Sequence, residues 1–183
     1  KEFTILTNYS ASMGDGKYGI KIGEAAAATV TIQGASKTYY KSLLDVDAST
    51  GDTHVHTADN TGWKDNDVLA LAPTTRTYSQ YETLTMNGDA SDDVINFDSP
   101  ASLAYNHSGT SPTQADIGNL TRTVKIKPYN TSYPGFITVK NASTTIDIDW
   151  VEFNTLGLNA ADKYGAINFL TNALSTAAAI RYC

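Results

Sequence analysis

The chain has 183 residues, enough for one sizeable hydrophobic core, and no shift in composition divides it, so a single domain is expected. Only 17% of the residues are charged, the net charge is −6, and Thr, Ser, Asn and Asp supply the polar surface, the palette of extracellular β-proteins. That balance lacks the basic footprint of nucleic-acid binding and disfavours anionic lipid, and no run of about 18 apolar residues is present to span a bilayer.

Phe3 to Leu6 is a short apolar run, followed by a turn-rich stretch from Asn8 to Gly19. Ile20 and Ile22 alternate into Gly23, and Thr29-Val30-Thr31-Ile32-Gln33 alternates with period two until Gly34 stops it. Tyr39 to Leu44 reads as a further strand or extended edge. In Thr53-His54-Val55-His56-Thr57, an inward Val55 would send both histidines outward together. Val68 to Leu71 is a buried strand ended by Pro73. Glu82 to Met86 and Val94 to Phe97 form a hairpin joined by Asn87 to Asp93.

Ala115 to Lys127 reads as one long strand, with Leu120, Arg122, Val124 and Ile126 on one face. A guanidinium on an apolar face needs a carboxylate, and Glu82 or Asp116 is the expected counter-ion of Arg122 in a structural ion pair. Beyond Pro128 the strands repeat a kernel: Val151-Glu152-Phe153, Ile167-Asn168-Phe169 and Ile180-Arg181-Tyr182. Short strands at variable spacing, with the aromatic in an equivalent slot, predict a right-handed parallel β-helix with irregular coils and an inserted hairpin. Phe153, Phe169 and Tyr182 are then expected to stack. Each coil would complete the hydrogen bonds and the core of its neighbour about 4.8 Å away. Cys183 is the only cysteine, so no disulfide lies within the chain. The last strand runs to Cys183 without a cap, which predicts a continuation of the chain or a capping partner there.

Several stretches, in order, resemble the motifs of the eight-glycine domain. They are Thr31-Ile32-Gln33-Gly34, Trp63-Lys64-Asp65-Asn66-Asp67-Val68-Leu69, Tyr78 to Glu82, Leu103 to Gly109, and Ala115 to Arg122. That module occurs in fibrocystin-like and hyaluronan-processing cell-surface proteins, where it leads into parallel β-helix repeats. The resemblance covers residues 29–127, and within the β-helix coils expected over 128–183 the stretch Ile146 to Cys183 resembles the repeats. Asn66 stands where the family carries glycine, and Asn is the residue best able to replace it in a left-handed turn. Asp116 stands where Glu is usual.

Each candidate site residue has a structural reading beside a chemical one. His54 and His56 could share a metal if His107 or a carboxylate joined them, but solvated imidazoles and no metal are expected. His107 is either a general acid or base or a turn-pinning histidine, and the latter is expected. A glycan-cleaving set, if there is one, would draw on His107, Glu82 and Asp116. Asp67 is expected to cap its turn. The oxygen-rich loop from Asn87 to Asp93 could take calcium, although its spacing matches no standard calcium loop. Trp63, His54, His56 and His107 are the expected binding residues. Asn8, Asn106, Asn130 and Asn141 begin glycosylation triplets that would matter in a secreted eukaryotic protein, and Asn119 begins another inside a core motif.

The expected function is a non-enzymatic structural and adhesive module of an extracellular, cell-surface or virion-surface assembly, presenting loops to glycans or partner chains. A glycan hydrolase or depolymerase of hyaluronan-processing type is the alternative. A third reading is an architectural spacer in a filament or phage appendage.

Overall fold

A computed structural model describes residues 3–7, 19–23, 26–129, 135–141, 143–157, 166–169 and 178–183. All of its extended secondary structure is β, with one 3-10 turn at Tyr78–Gln80. The chain forms two compact units. Unit 1 comprises residues 1–36 and 122–183, and unit 2 comprises residues 37–121.

Unit 1 is built from three passes of the chain. The first pass contributes β1 (Phe3–Thr7), β2 (Gly19–Ile22) and β3 (Thr29–Gln33). The second contributes β10 (Val124–Pro128), β11 (Phe136–Val139) and β12 (Thr145–Asp149), and the third β13 (Val151–Phe153), β14 (Ile167–Phe169) and β15 (Ala178–Arg181). They pair into three parallel three-stranded sheets, β1-β10-β13, β2-β11-β14 and β3-β12-β15, always in the order of the passes.

That register puts like beside like. Ile5, Ile126 and Phe153 are successive partners in the first sheet, Ile20, Ile137 and Ile167 in the second, and Ile32, Ile148 and Ile180 in the third. Apolar rows from the three sheets meet in one core around Ile126, Ile137, Ile146 and Ile148, each almost fully buried. A strand of three to five residues cannot bury its apolar side alone, whereas a neighbour one strand spacing away supplies both hydrogen bonds and contact. Gly34 shows how close the passes come. A Cβ there would lie 2.1 Å from the carbonyl oxygen of Trp150, so no larger residue fits without moving the backbone.

The kernel that the sequence repeats is therefore a property of strands and not of passes. Phe153 and Phe169 lie in β13 and β14, in different sheets of the same pass, and Tyr182 follows the end of β15, so the three do not stack on one another. Their partners are Ile126 for Phe153 and Val139 for Phe169, while the ring of Tyr182 stacks on Trp150 with centroids 4.5 Å apart. The long strand expected over residues 115–127 is also interrupted. Asp116–Asn119 forms β9 of unit 2, Val124–Pro128 forms β10 of unit 1, and Leu120 is exposed between them.

Unit 2 holds β4 (Lys41–Leu43), β5 (His54–His56), β6 (Val68–Leu71), β7 (Glu82–Met86), β8 (Val94–Ser99) and β9. The strands pair antiparallel in the order β4-β9-β6-β7-β8-β5. Leu44 also bridges Thr57, with the Ala58 amide donating to the Leu43 carbonyl at 2.9 Å, so the two outer strands of this order meet and the sheet closes on itself. Closure removes the exposed edges that an open sheet would carry. Leu44, Leu69, Leu71, Leu84, Ile95 and Ile117 fill the interior at zero exposure. The expected hairpin is present as β7 and β8, but it is one part of this six-stranded unit.

Candidate functional site

The motif residues of unit 2 divide into a buried polar scaffold and an outward face. Trp63 is 1% exposed, and its indole N–H donates to the Tyr39 carbonyl at 2.6 Å. It anchors a loop and cannot meet a ligand, which corrects its place among the binding residues. Asn66 adopts φ of +65°, the left-handed turn expected of a residue in a glycine position. Asp67 caps that turn through the Lys64 amide at 3.0 Å, and the same Oδ2 accepts from Lys37 Nζ at 2.9 Å and Asn119 Nδ2 at 2.7 Å. Burial alone would raise the Asp67 carboxyl, but those hydrogen bonds outweigh it and hold the group below the usual carboxylate range.

Glu82 lies on the inward row of β7 with Leu84 and Met86. Its Oε2 sits 2.7 Å from His107 Nε2, with the two side chains 5% and 0% exposed. Glu82 also accepts from the amides of Ala104 (2.8 Å) and Tyr105 (3.2 Å), while His107 Nδ1 lies 2.9 Å from the Ala72 carbonyl. A carbonyl has no hydrogen to give, so Nδ1–H is the donor there and one hydrogen lies between Nε2 and Oε2. Backbone pairing between Ala48 and His107 completes the pin.

This arrangement changes three expectations. His107 is sealed from solvent, so it is neither a binding residue nor a group that reaches a polymer. The ion pair expected between Arg122 and Glu82 or Asp116 gives way to separate engagements. Within unit 2, Glu82 is held by His107 and two amides. Within unit 1, Arg122 Nε donates to the Tyr182 carbonyl at 2.8 Å, and its guanidinium carbon lies 5.4 Å from the Trp150 ring centre. Finally, a glycosidase needs two carboxylates flanking an accessible bond, and Glu82 is not available for that.

Two of the three carboxylates in the loop considered for calcium have other partners. Asp89 accepts from Lys64 Nζ at 2.8 Å and the Asp65 amide at 3.0 Å, and Asp93 meets His56 Nδ1 at 2.9 Å. Among the described residues, no three of His, Cys, Asp and Glu are grouped to hold a metal. Asn106 Oδ1 accepts from the Thr50 amide and hydroxyl, and Asn141 Oδ1 accepts from the Ser143 amide. Asn119 is 2% exposed, which leaves no room for a glycan, while Asn8 and Asn130 lie outside the described residues.

The outward face carries the concavity. Along β4, β9 and β6 the burial alternates, so Lys41, Asp116, Gly118 and Ala70 take outward positions. Ala70 is the direct partner of Gly118, and Lys41 pairs with Gly118 on its other side. Two small residues side by side lower the floor of the sheet, and the result is a trough of about 430 Å³ bordered by Lys41, Asp116, Pro73 and Tyr81. Tyr81 is 61% exposed and nearby Tyr78 is 85% exposed, so both rings face solvent from the 3-10 turn and its end. A flat ring beside an apolar floor with one cation and one anion at the margin suits a ligand with C–H faces and hydroxyls. The sequence reading missed Lys41, Gly118 and Tyr81. The available signal was a pair of small residues in outward slots of adjacent strands.

No family model matches the chain, and no curated protein matches it. Solved structures do. They include the tailspike gp61 of Pseudomonas phage phi297 (10% identity, TM-score 0.38, 85% of this chain and 26% of that one). The tailspike gp49 of Pseudomonas phage LKA1 has 15% identity and a TM-score of 0.36, over 74% of this chain and 26% of that one. The Gp54 tailspike of Acinetobacter baumannii bacteriophage AP22, solved with A. baumannii capsular saccharide, has 12% identity and a TM-score of 0.37 over 92% of this chain. The chain spans 26% to 29% of the length of these structures. No helix among the described residues is long and apolar enough to cross a membrane.

Proposed function

We propose that the chain is a non-enzymatic structural and adhesive module. Unit 1 is a short right-handed parallel β-helix, and unit 2 is an inserted barrel-like unit that offers a glycan-binding face. The hand follows the strong preference of parallel crossovers. The observation that carries the binding reading is the trough over Ala70 and Gly118, with the exposed ring of Tyr81 at its rim and Lys41 and Asp116 beside it. A pyranose has a face of C–H groups that stacks on tyrosine and an equator of hydroxyls that meets charged side chains. A surface of a virion or cell is the proposed setting, in keeping with the low charge and the Thr- and Asn-rich exterior. The hydrolase alternative is weaker because Glu82 and His107 are enclosed and fully engaged with each other and with backbone.

Glycan-array screening of the protein, with hits followed by calorimetry, tests this reading. Tyr81→Ala should weaken the best hit by about 2 kcal/mol, roughly 30-fold, the cost of losing an aromatic anchor. Gly118→Val fills the trough with little disturbance, since a Cβ at Gly118 meets nothing nearer than the Tyr40 carbonyl at 3.8 Å. It should abolish binding while the protein stays folded. Wild-type affinity in both variants would rule out the trough as the glycan site.

A further inference from the structure

The outward side of β5 in unit 2 carries a second arrangement, separate from the trough. β5 pairs with β8, and Val55 at its centre is 1% exposed, so His54 and His56 project from the same outward side. Their ring centres lie 5.4 Å apart with the planes at 73°. Two imidazoles bound to one tetrahedral ion through nitrogens at about 2.0–2.1 Å have ring centres about 5 Å apart, close to the spacing of this pair. His56 is also held. Its Nδ1 lies 2.9 Å from Asp93 Oδ2, which makes Nδ1–H a donor to the carboxylate and leaves the Nε2 lone pair free to coordinate. A carboxylate on the far nitrogen is the arrangement that orients histidine ligands and raises their basicity in metal sites.

The surroundings favour a cation. His54 and His56 line an open cleft of about 230 Å³ together with Asp47 and Asp52. Asp47 Oδ1 accepts from the Gly109 amide at 2.7 Å and Asp52 Oδ2 from the Ser49 amide at 2.7 Å, so both acids are fixed by backbone at the wall of the cleft. Negative charge there attracts a divalent ion.

We propose that His54 and His56 form a two-imidazole chelate for a borderline first-row divalent ion such as Zn²⁺ or Cu²⁺, with Asp93 as the positioning residue and water completing the coordination. Ca²⁺ and Mg²⁺ are excluded by ligand type, because they take oxygen and this pair offers nitrogen. No bond is made or broken in the protein. The ion replaces solvent at the Nε2 atoms of two side chains carried on one strand.

The chain contains three histidines, of which His107 is sealed, so imidazole ¹H–¹⁵N spectra of the untagged protein give a direct readout. Titration with ZnCl₂ should shift the Nε2 resonances of His54 and His56 at a one-to-one stoichiometry and leave His107 unmoved. CaCl₂ should move none of them. By calorimetry His54→Ala and His56→Ala should each weaken Zn²⁺ at least tenfold, and Asp93→Ala about tenfold, the usual cost of losing a partner behind a histidine ligand. An unchanged affinity in His54→Ala, or no shift of either surface histidine at millimolar Zn²⁺, would overturn the proposal. A larger loss for Asp93→Ala than for His54→Ala would also overturn it, because the carboxylate would then be a ligand.

Discussion

Replacing Glu82 by Ala should lower the stability of unit 2 by about 3–5 kcal/mol, the cost of removing one partner from a buried charged pair. The change strips the buried His107 Nε2 of its partner at 2.7 Å and removes the acceptor of the Ala104 and Tyr105 amides. Glu82→Gln should cost far less. With Nδ1–H still donated to Ala72, a neutral His107 can accept at Nε2 from the glutamine amide, and the glutamine oxygen can still take the Ala104 amide. The double variant Glu82→Ala, His107→Leu should recover part of the loss, since it removes both halves of the pair. Urea denaturation followed by Trp63 fluorescence in a Trp150→Phe background reads unit 2 alone, because the chain has two tryptophans and Trp63 lies in unit 2. A loss below about 1 kcal/mol for Glu82→Ala, within the range of surface substitutions, would mean that the pair is not enclosed.

The second large effect belongs to Asp67. Asp67→Ala removes the acceptor for the Lys64 amide, Lys37 Nζ and Asn119 Nδ2 together, and Asn119 is buried, so a loss of about 3 kcal/mol is expected. Asp67→Asn retains the shape and an acceptor but not the charge, and it carries the pH signature. The folded carboxyl titrates below its unfolded value of about 3.9, so its ionised form contributes stability that is complete above that pH. That contribution disappears as the pH falls through the lower folded value. The stability gap between wild type and Asp67→Asn should therefore be constant between about pH 5 and 7 and narrow below about pH 4. Urea midpoints measured at several pH values check the sign, and a gap that widens on acidification would contradict it.

Period-two alternation was enough to place most strands, because a short strand buried on one side leaves that mark in any β-fold. What alternation does not encode is which strand pairs with which. The recurring Val-Glu-Phe kernel marks three strands of one pass, and the equivalence that matters runs instead from Val124 to Val151 and from Ile137 to Ile167. Those partners lie at unequal separations along the chain, so no fixed period announces them. The first pass is harder still, since Phe3 pairs with Val124 across the whole of unit 2.

The site shows the same division. Asn66 and Asp67 were legible because a turn imposes local demands on residue type. Arg122 was assigned a carboxylate partner on the premise of a continuous strand, but the chain leaves unit 2 at Thr121 and Arg122 finds the Tyr182 carbonyl and the Trp150 ring. The same logic applied to Glu82 would have succeeded. A carboxylate on the row of Leu84 and Met86 demands a buried donor, and His107 supplies it. The trough was missed because it is made by the absence of side chains at Ala70 and Gly118.

Stacking of the first pass on the second, in register and parallel, is the claim on which the architecture of unit 1 depends. Thr31 and Asp147 are direct partners in the β3–β12 pair, whereas Thr145 is the partner of Thr29. In a Cys183→Ser background, Thr31→Cys with Asp147→Cys should oxidise to an intramolecular disulfide, since parallel partners lie about 4.8 Å apart and within reach of the bond. Thr31→Cys with Thr145→Cys, two residues out of register, should not. Peptide mass spectrometry after mild oxidation distinguishes the two, and a link from residue 31 to 145 in place of 147 would contradict the parallel register.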